Sequence, residues 1–281
     1  MNQLVDRATV TDTLIVVDVD GTLVDNAGVP YPGLDRLLEL SASPGYGMAL
    51  ASARPPWNLQ RMARELGPSV TDISAFQGAM VQTRSPNGWR EVCSITIDPD
   101  AVRRLNDVVD PTLARWWYTA RSWTISRDDA AAREEARIVG VPWSAVGSQP
   151  PVQPVLKLLA VGQPDRVAIA APHMAGVRSA VSKPAYLEVV SSDVAPDKGI
   201  HLVRAMRPEV ARLVAVGDGL NDIGMLRAAD QSFTFADASP EVLSAATSVL
   251  PADRTRAYRE LVALLKAGAE NPPAASAREG R

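Results

Sequence analysis

Cysteine, histidine and lysine are all scarce in this chain. Cys93 is its single cysteine, so no intramolecular disulfide can form and a reducing compartment is expected. His173 and His201 are the only histidines, and both are assigned to surface or helix packing. The basic side chains are nearly all arginine; Lys157, Lys183, Lys198 and Lys266 are the only lysines. No run approaches the ~20 apolar residues that cross a bilayer. The opening MNQLVDRATVTDT has neither the basic start nor the apolar stretch of a signal peptide. A cytoplasmic protein without a membrane partner is the expectation. A net charge of -3 gives no reason to expect nucleic acid.

What is present is ordinary globular material: 281 residues, 46 % hydrophobic and 22 % charged, enough for one large or two smaller domains. Leu14 to Val17 is an uninterrupted apolar run that reads as a strand buried on both faces, ending in Asp18-Val19-Asp20-Gly21-Thr22. A helix over about 33–40 follows. Met48 to Ala51 ends in Ser52-Ala53-Arg54, and Pro55 and Pro56 open a helix through Leu66 that Gly67 stops. Leu213 to Val216 meets Gly217-Asp218-Gly219 and a helical stretch through Ala229. Strand, polar turn and helix repeat three times, which predicts a parallel sheet covered by helices on both faces. Ligands of such sheets lie beyond the carboxyl ends of the strands, so the turns at 18–22, 52–54 and 217–222 are candidates for one site.

The middle of the chain reads differently. Strands are predicted at Arg90–Ile97, Trp116–Tyr118, Trp123–Ile125, Val155–Val161 and Tyr186–Val190, the last leading back into the first domain. Helices are predicted at Asp100–Val109, Asp128–Val139 and Pro164–Met174. This pattern suggests an α+β module inserted into the first domain. The expected division is 1–82 and 186–268 for the core, 83–185 for the insert and 269–281 for a disordered tail rich in Pro, Ala and charge.

Asp18 and Asp20 stand one residue apart at the end of a buried strand, where alternate side chains can share a face. Like charges held close raise one another's pKa unless a cation neutralises them, and a third carboxylate, Asp218, waits at another strand end. With no histidine or cysteine among them, the fitting ion is hard and oxygen-bound. The alternative is a plain turn, since Asp and Gly are common turn formers.

The companions of these carboxylates make a resemblance specific. Asp18-Val19-Asp20-Gly21-Thr22-Leu23 resembles the first motif of the haloacid dehalogenase superfamily, and Ser52 after its strand resembles the second. Lys198, in Ala195-Pro196-Asp197-Lys198-Gly199, resembles the third. Gly217-Asp218-Gly219-Leu220-Asn221-Asp222 with Met225 resembles the fourth. The insertion between the second and third motifs is similar to the Cof-type subgroup (subfamily IIB). Phe76-Gln77-Gly78-Ala79 and the Leu187-Glu188-Val189 strand resemble that subgroup too. Ala53, Gln77 and Asp237 depart from its pattern, where Gly, Asn and Asn are usual. None of the three removes a catalytic group, but they bar transfer of a substrate preference.

The resemblance implies an α/β fold, a Rossmann-like parallel-sheet core carrying an inserted α+β cap of the C2 type. It also implies a magnesium-dependent phosphatase acting on a small phosphorylated molecule, a sugar phosphate by analogy alone. Asp18 would be the nucleophile that becomes phosphorylated, and Asp20 the general acid and then base. Mg2+ would sit on the Asp18 carboxylate, the Asp20 backbone carbonyl and Asp218. Ser52, Lys198 and Asn221 would bind the phosphoryl group, and Lys198 would also act in catalysis. Thr22, Arg54 and Asp222 would support them. In the cap, Trp116, Trp117, Trp123 and Trp143 are candidates to stack on a ring, with core packing as the alternative. Arg115, Arg121 and Arg127 are candidates to meet a second anionic group. A sugar phosphomutase and a non-catalytic binding protein are the competing functions. Retention of Asp18, Asp20, Lys198 and Asp218 argues against the latter, and no second phosphate cradle is seen for the former. A monomer or homodimer is expected.

Overall fold

The computed structural model describes residues 12–25, 27–169, 174–183 and 185–270. His173, residues 1–11 of the opening segment and residues 271–281 of the expected tail lie outside them. In chain order, the first part of the fold is β1 (Thr13–Val17), α1 (Leu34–Ser41), β2 (Tyr46–Ala51), α2 (Pro56–Leu66), β3 (Val70–Ala75), β4 (Met80–Ser85) and β5 (Gly88–Ser94). There follow α3 (Pro99–Val108), β6 (Ala114–Tyr118), β7 (Trp123–Ile125), α4 (Ala130–Val139), β8 (Ala145–Val146), β9 (Lys157–Val161), α5 (Pro164–Ile169), β10 (Val177–Lys183) and β11 (Tyr186–Ser191). The last part is α6 (Ile200–Met206), β12 (Arg212–Val216), α7 (Ile223–Ala228), β13 (Gln231–Phe235), α8 (Pro240–Ala245), β14 (Ser248–Leu250) and α9 (Arg254–Glu270).

Two sheets organise these elements. An eight-stranded sheet runs β14-β13-β12-β1-β2-β3-β4-β5. It is parallel from β14 to β3 and antiparallel at β4 and β5. β1 lies at its centre, and all five of its side chains are buried. That is why this segment is apolar without alternation: both faces are covered. Ile15, Val17, Met48 and Leu50 pack on one face with Leu37 of α1, Leu59 of α2 and Leu261 of α9. Leu14, Val16, Ala49 and Ala215 pack on the other with Val203 of α6, Met225 of α7 and Val242 of α8. The expected parallel sheet between two helical layers is therefore present.

The second sheet has six strands in the order β10-β11-β9-β6-β7-β8. One of its faces buries Trp117, Leu158 and Leu187 with Leu105 of α3. The other packs Trp116, Tyr118, Trp123 and Leu159 toward α4 and the first sheet, in one cluster with Phe76 and Leu59.

Two strands fall in different sheets from those the sequence predicts. The Arg90–Ile97 strand, expected in the insert, is β5, and it hydrogen-bonds to β4 at the edge of the eight-stranded sheet. The Tyr186–Val190 strand, expected to return to the core, is β11, held between β9 and β10 in the six-stranded sheet. Strand membership is decided by pairing across distant sequence, which periodicity does not report. The helix from Pro164 is described as far as Ile169, and α9 runs to Glu270, so the first residues assigned to the tail are helical. Among the described residues, no helix is long and apolar enough to cross a membrane.

Candidate active site

β1 and β12 pair in parallel through Val17 and Val216, and the Asp18 amide continues the ladder by donating to the Val216 carbonyl at 2.9 Å. Their carboxyl ends therefore open side by side. The strand stops at Val17, so the alternation expected to point Asp18 and Asp20 together lapses. The backbone folds back on itself, with the Leu23 and Val24 amides both on the Val19 carbonyl. Asp18 is 4 % exposed and turns inward, whereas the Asp20 side chain is half exposed. Arg54 grips the Asp20 carboxylate through two hydrogen bonds, Nε at 2.9 Å and Nη2 at 2.7 Å.

Lys198 lies 1 % exposed between two carboxylates, its Nζ donating to Asp18 at 2.7 Å and to Asp222 at 2.5 Å. Burial opposes its charge, but the two aspartates outweigh burial and hold the ammonium protonated. The lysine is placed by backbone contact. Gly78 has φ +99°, and a Cβ there would meet Gly199 N and Lys198 C at 2.7 Å. The Ser74 hydroxyl donates to the Lys198 carbonyl. This is the physical reason for the Phe76-Gln77-Gly78 turn, where Phe76 and Gln77 also have positive φ.

Asp222 is fully buried and organises the loop after β12. Its Oδ2 accepts from the Asp218 and Gly219 amides at 3.0 and 2.8 Å, while Oδ1 takes Lys198. Thr22 donates to Asp218 Oδ1 at 2.7 Å. Gly21, at φ +85°, admits that carboxylate so closely that a Cβ would stand 2.2 Å from Asp218 Oδ2. Ser52 is buried where β2 ends, its amide on the Ser74 carbonyl and its hydroxyl accepting from the Arg54 amide at 3.2 Å. Asn221 is exposed and lies over Gly219, where a Cβ would meet its Oδ1 at 2.4 Å.

Asp18, Asp218 and Asp222 each bring one oxygen within 4.8 Å of the others. Burial, and after it the Asp222 carboxylate, push the Asp18 carboxyl well above its ordinary range against the pull of Lys198. Burial pushes Asp218 up to about 6 in spite of the Thr22 hydrogen bond. One lysine thus leaves this pocket with unbalanced negative charge, which a divalent cation would neutralise. The donors are all carboxylate oxygens, so a hard ion fits. Both Asp222 oxygens are already engaged, which leaves Asp18 and Asp218 as the carboxylates able to hold it. The Asp20 carboxylate, expected beside Asp18, lies instead on Arg54.

Of the cap candidates, Trp116, Trp117 and Trp123 are fully buried. Trp123 stacks on Tyr118 with centroids 5.4 Å apart and donates to the Val141 carbonyl, so it has no face left for a ligand. Trp143 packs edge-on against Trp123. Core packing, the alternative reading, accounts for all four. Arg115 donates to the Asn106 carbonyl and Arg127 to Thr112 and Asp129. Arg121 is exposed in the turn between β6 and β7. His201 is exposed on α6 beside Asp197.

Two residues at this site escape the sequence reading. Lys157, 4 % exposed at the start of β9, donates to the Ala53 carbonyl at 3.0 Å. Glu135 of α4 accepts from Tyr118 at 2.9 Å and is among the charges that act on Arg54. For Lys157 a signal existed: one lysine, of only four in the chain, inside the apolar run Val155 to Val161.

The chain is similar to several known proteins. A Bacillus subtilis (strain 168) protein named "Putative phosphatase YxeH" is 24 % identical over 246 residues, covering 83 % of this chain and 90 % of that protein. The structure of a haloacid dehalogenase-like hydrolase from Bacteroides thetaiotaomicron superposes with a TM-score of 0.74 at 19 % identity, covering 90 % of this chain and 99 % of the other. That of the subclass IIB sugar phosphatase BT4131 superposes at 0.73 and 17 % identity, covering 90 % and 98 %. These structural likenesses establish a shared fold. The family model of haloacid dehalogenase-like hydrolases runs from residue 15 in β1 to residue 256 in α9, taking in all four motif loops, and the chain belongs to that family.

Proposed function

We propose that this hydrolase is a magnesium-dependent phosphatase of small phosphate monoesters, a sugar phosphate or related metabolite, working through a phosphorylated Asp18. The observation that supports it best is the buried Asp18 carboxylate, held at 2.7 Å by Lys198 and flanked by Asp218, with a second carboxylate, Asp20, at the mouth of the site.

Asp18 attacks phosphorus in line with the leaving oxygen, and the P–O bond to the leaving group breaks as the aspartyl phosphate forms. Asp20 gives its proton to the departing oxygen. It then takes a proton from the water that cleaves the acyl phosphate, which frees inorganic phosphate and regenerates Asp18. Ser52 donates to a phosphoryl oxygen, and Lys198 sets a positive charge beside the oxygens on which negative charge gathers. Asn221 supports the phosphate site, Thr22 orients Asp218, and Asp222 holds Lys198 in place. Mg2+, held by the Asp18 and Asp218 carboxylates with the Asp20 main chain, would offset the repulsion between an anionic nucleophile and an anionic substrate.

The six-stranded sheet with α3, α4 and α5 is the cap, which covers the leaving group and excludes water. A panel of phosphate monoesters, assayed for phosphate release with magnesium and again after chelation, tests this reading. Release is expected to require the metal. Undiminished release in metal-free buffer, or no release from any monoester, would overturn it.

A further inference from the structure

Of the two lysines buried in the described part of the molecule, Lys198 is accounted for by the chemistry and Lys157 is not. Burying an ammonium is costly, and every residue that follows Lys157 in β9 is apolar. Its acidic neighbour, Glu188, is at 3.6 Å, longer than a hydrogen bond. Its direct partner is the Ala53 carbonyl at 3.0 Å. Ala53 is the residue between Ser52, assigned to the phosphoryl group, and Arg54, which grips Asp20. The ammonium also lies 5.5 Å from the centroid of Phe76 and 5.1 Å from that of Tyr118. Phe76 begins the turn whose Gly78 packs against the Lys198 backbone. One cap side chain therefore touches two of the core turns that place catalytic groups.

A second link fixes the same loop from its other side. Asn58 donates to the Ile138 and Val139 carbonyls at the end of α4, at 3.1 and 3.3 Å, while its own Oδ1 accepts from Arg54 at 3.0 Å. Arg54 thus stands between two bridges from cap to core.

We infer that Lys157 is a positioning residue, by which the docked cap sets the Ser52–Arg54 loop and, through Arg54, the orientation of the Asp20 carboxylate. When the cap lifts, the Ala53 carbonyl loses its ammonium, the loop relaxes and Asp20 is no longer aimed. Proton transfer to the leaving group is then efficient only under a closed cap. The inference rests on the phosphatase reading for its kinetic consequence, though not for its structural one.

The test uses Lys157→Met, which keeps the stem and removes the donor, alone and in an Asp20→Asn background. Amide hydrogen exchange needs no substrate. The Ser52–Asn58 segment is expected to exchange faster in Lys157→Met than in the wild type, with the central strands unchanged. In turnover with magnesium, Lys157→Met is expected to lower kcat about tenfold for an alkyl phosphate, with a smaller change in KM and less loss for p-nitrophenyl phosphate. The Asp20→Asn enzyme is expected to lose much less than the wild type does when Lys157→Met is added, since the two act mainly through one group. A merely structural lysine would slow all substrates alike, and would do so in both backgrounds. Unchanged exchange at residues 52–58, or additive losses in the double variant, would overturn the inference. A wild-type enzyme inert toward every monoester would overturn the phosphatase reading instead, and exchange would still decide the role of Lys157.

Discussion

At the carboxyl ends of β1, β2 and β12, buried polar groups are held in place by close contacts. Lys198 lies between Asp18 and Asp222, Asp222 also takes two amides, and Thr22 holds Asp218. In the six-stranded sheet the balance is reversed. Trp116 and Trp117 are fully buried, and their indole N–H groups have no hydrogen-bond partner. These cap indoles serve packing and leave their donors orphaned, whereas the turns at the carboxyl ends of β1 and β12 give up apolar contact to fix charges in place. The dense polar network at these turns marks where geometry matters. Lys157, which departs from the habit of its own sheet by reaching a core carbonyl, marks where the two regions are coupled.

The sharpest way to break this contrast is to neutralise the core carboxylates one at a time. Asp18→Asn is expected to abolish turnover and any trapped phosphoenzyme together, because an amide is no usable nucleophile. Wild-type turnover in that variant would remove Asp18 from the chemistry. Asp20→Asn is expected to fall by about 10²–10⁴-fold with an alkyl phosphate, and less in the first half-reaction with p-nitrophenyl phosphate, whose leaving group needs little protonation. Equal losses for both leaving groups would show that Asp20 acts other than as the acid.

Gly78→Ala tests whether the core depends on backbone fit as closely as on charge. The new methyl would press on Gly199 N and Lys198 C, both main-chain atoms that have nowhere to yield, at a φ of +99° that alanine resists. A shift of Lys198 by a fraction of an ångström is expected to lower kcat by about 10–100-fold with a smaller change in KM. A variant of normal kcat would mean that the turn does not position Lys198.

How much of this was legible beforehand follows the same division. Asp18 and Asp218 stand where apolar runs break into polar turns and could be picked out there, while Lys198 and Asp222 were legible only through the resemblance of their loops to the third and fourth family motifs. The parting of Asp18 from Asp20 could not be read, because it depends on β1 stopping at Val17. The assignments of β5 and β11 failed for a related reason: a strand's own pattern shows that it is half buried, never which partner it pairs with. Trp123 drew notice as a ring in search of a ligand, yet Tyr118, Trp116 and Trp143 already surround it. Composition gives the aromatic side chain, and only the fold gives its neighbours.

The smallest expected effect separates three arginines that the sequence treats alike. Arg115, the second residue of β6, reaches the Asn106 carbonyl, and Arg127 is tied to Thr112 and Asp129. Both belong to the end of the cap sheet where the Leu113 side chain packs over Gly162, since Ala114 stands opposite Val161. Arg121 lies in the turn after Tyr118, and Tyr118 stands opposite Lys157, whose ammonium reaches the core loop. Of the three, Arg121 alone lies at the end of the cap sheet that meets the catalytic turns. Arg121→Ala is therefore expected to reorder substrates in kcat/KM by a few-fold, on the order of the ~1 kcal/mol of one exposed charged contact, with a small generic monoester nearly unaffected. Arg127→Ala is expected to leave the ranking as it is. Specificity constants across a set of neutral and doubly anionic monoesters measure both. If Arg127→Ala reorders them and Arg121→Ala does not, the leaving group lies at the opposite end of the cap from the one the Lys157 contact indicates.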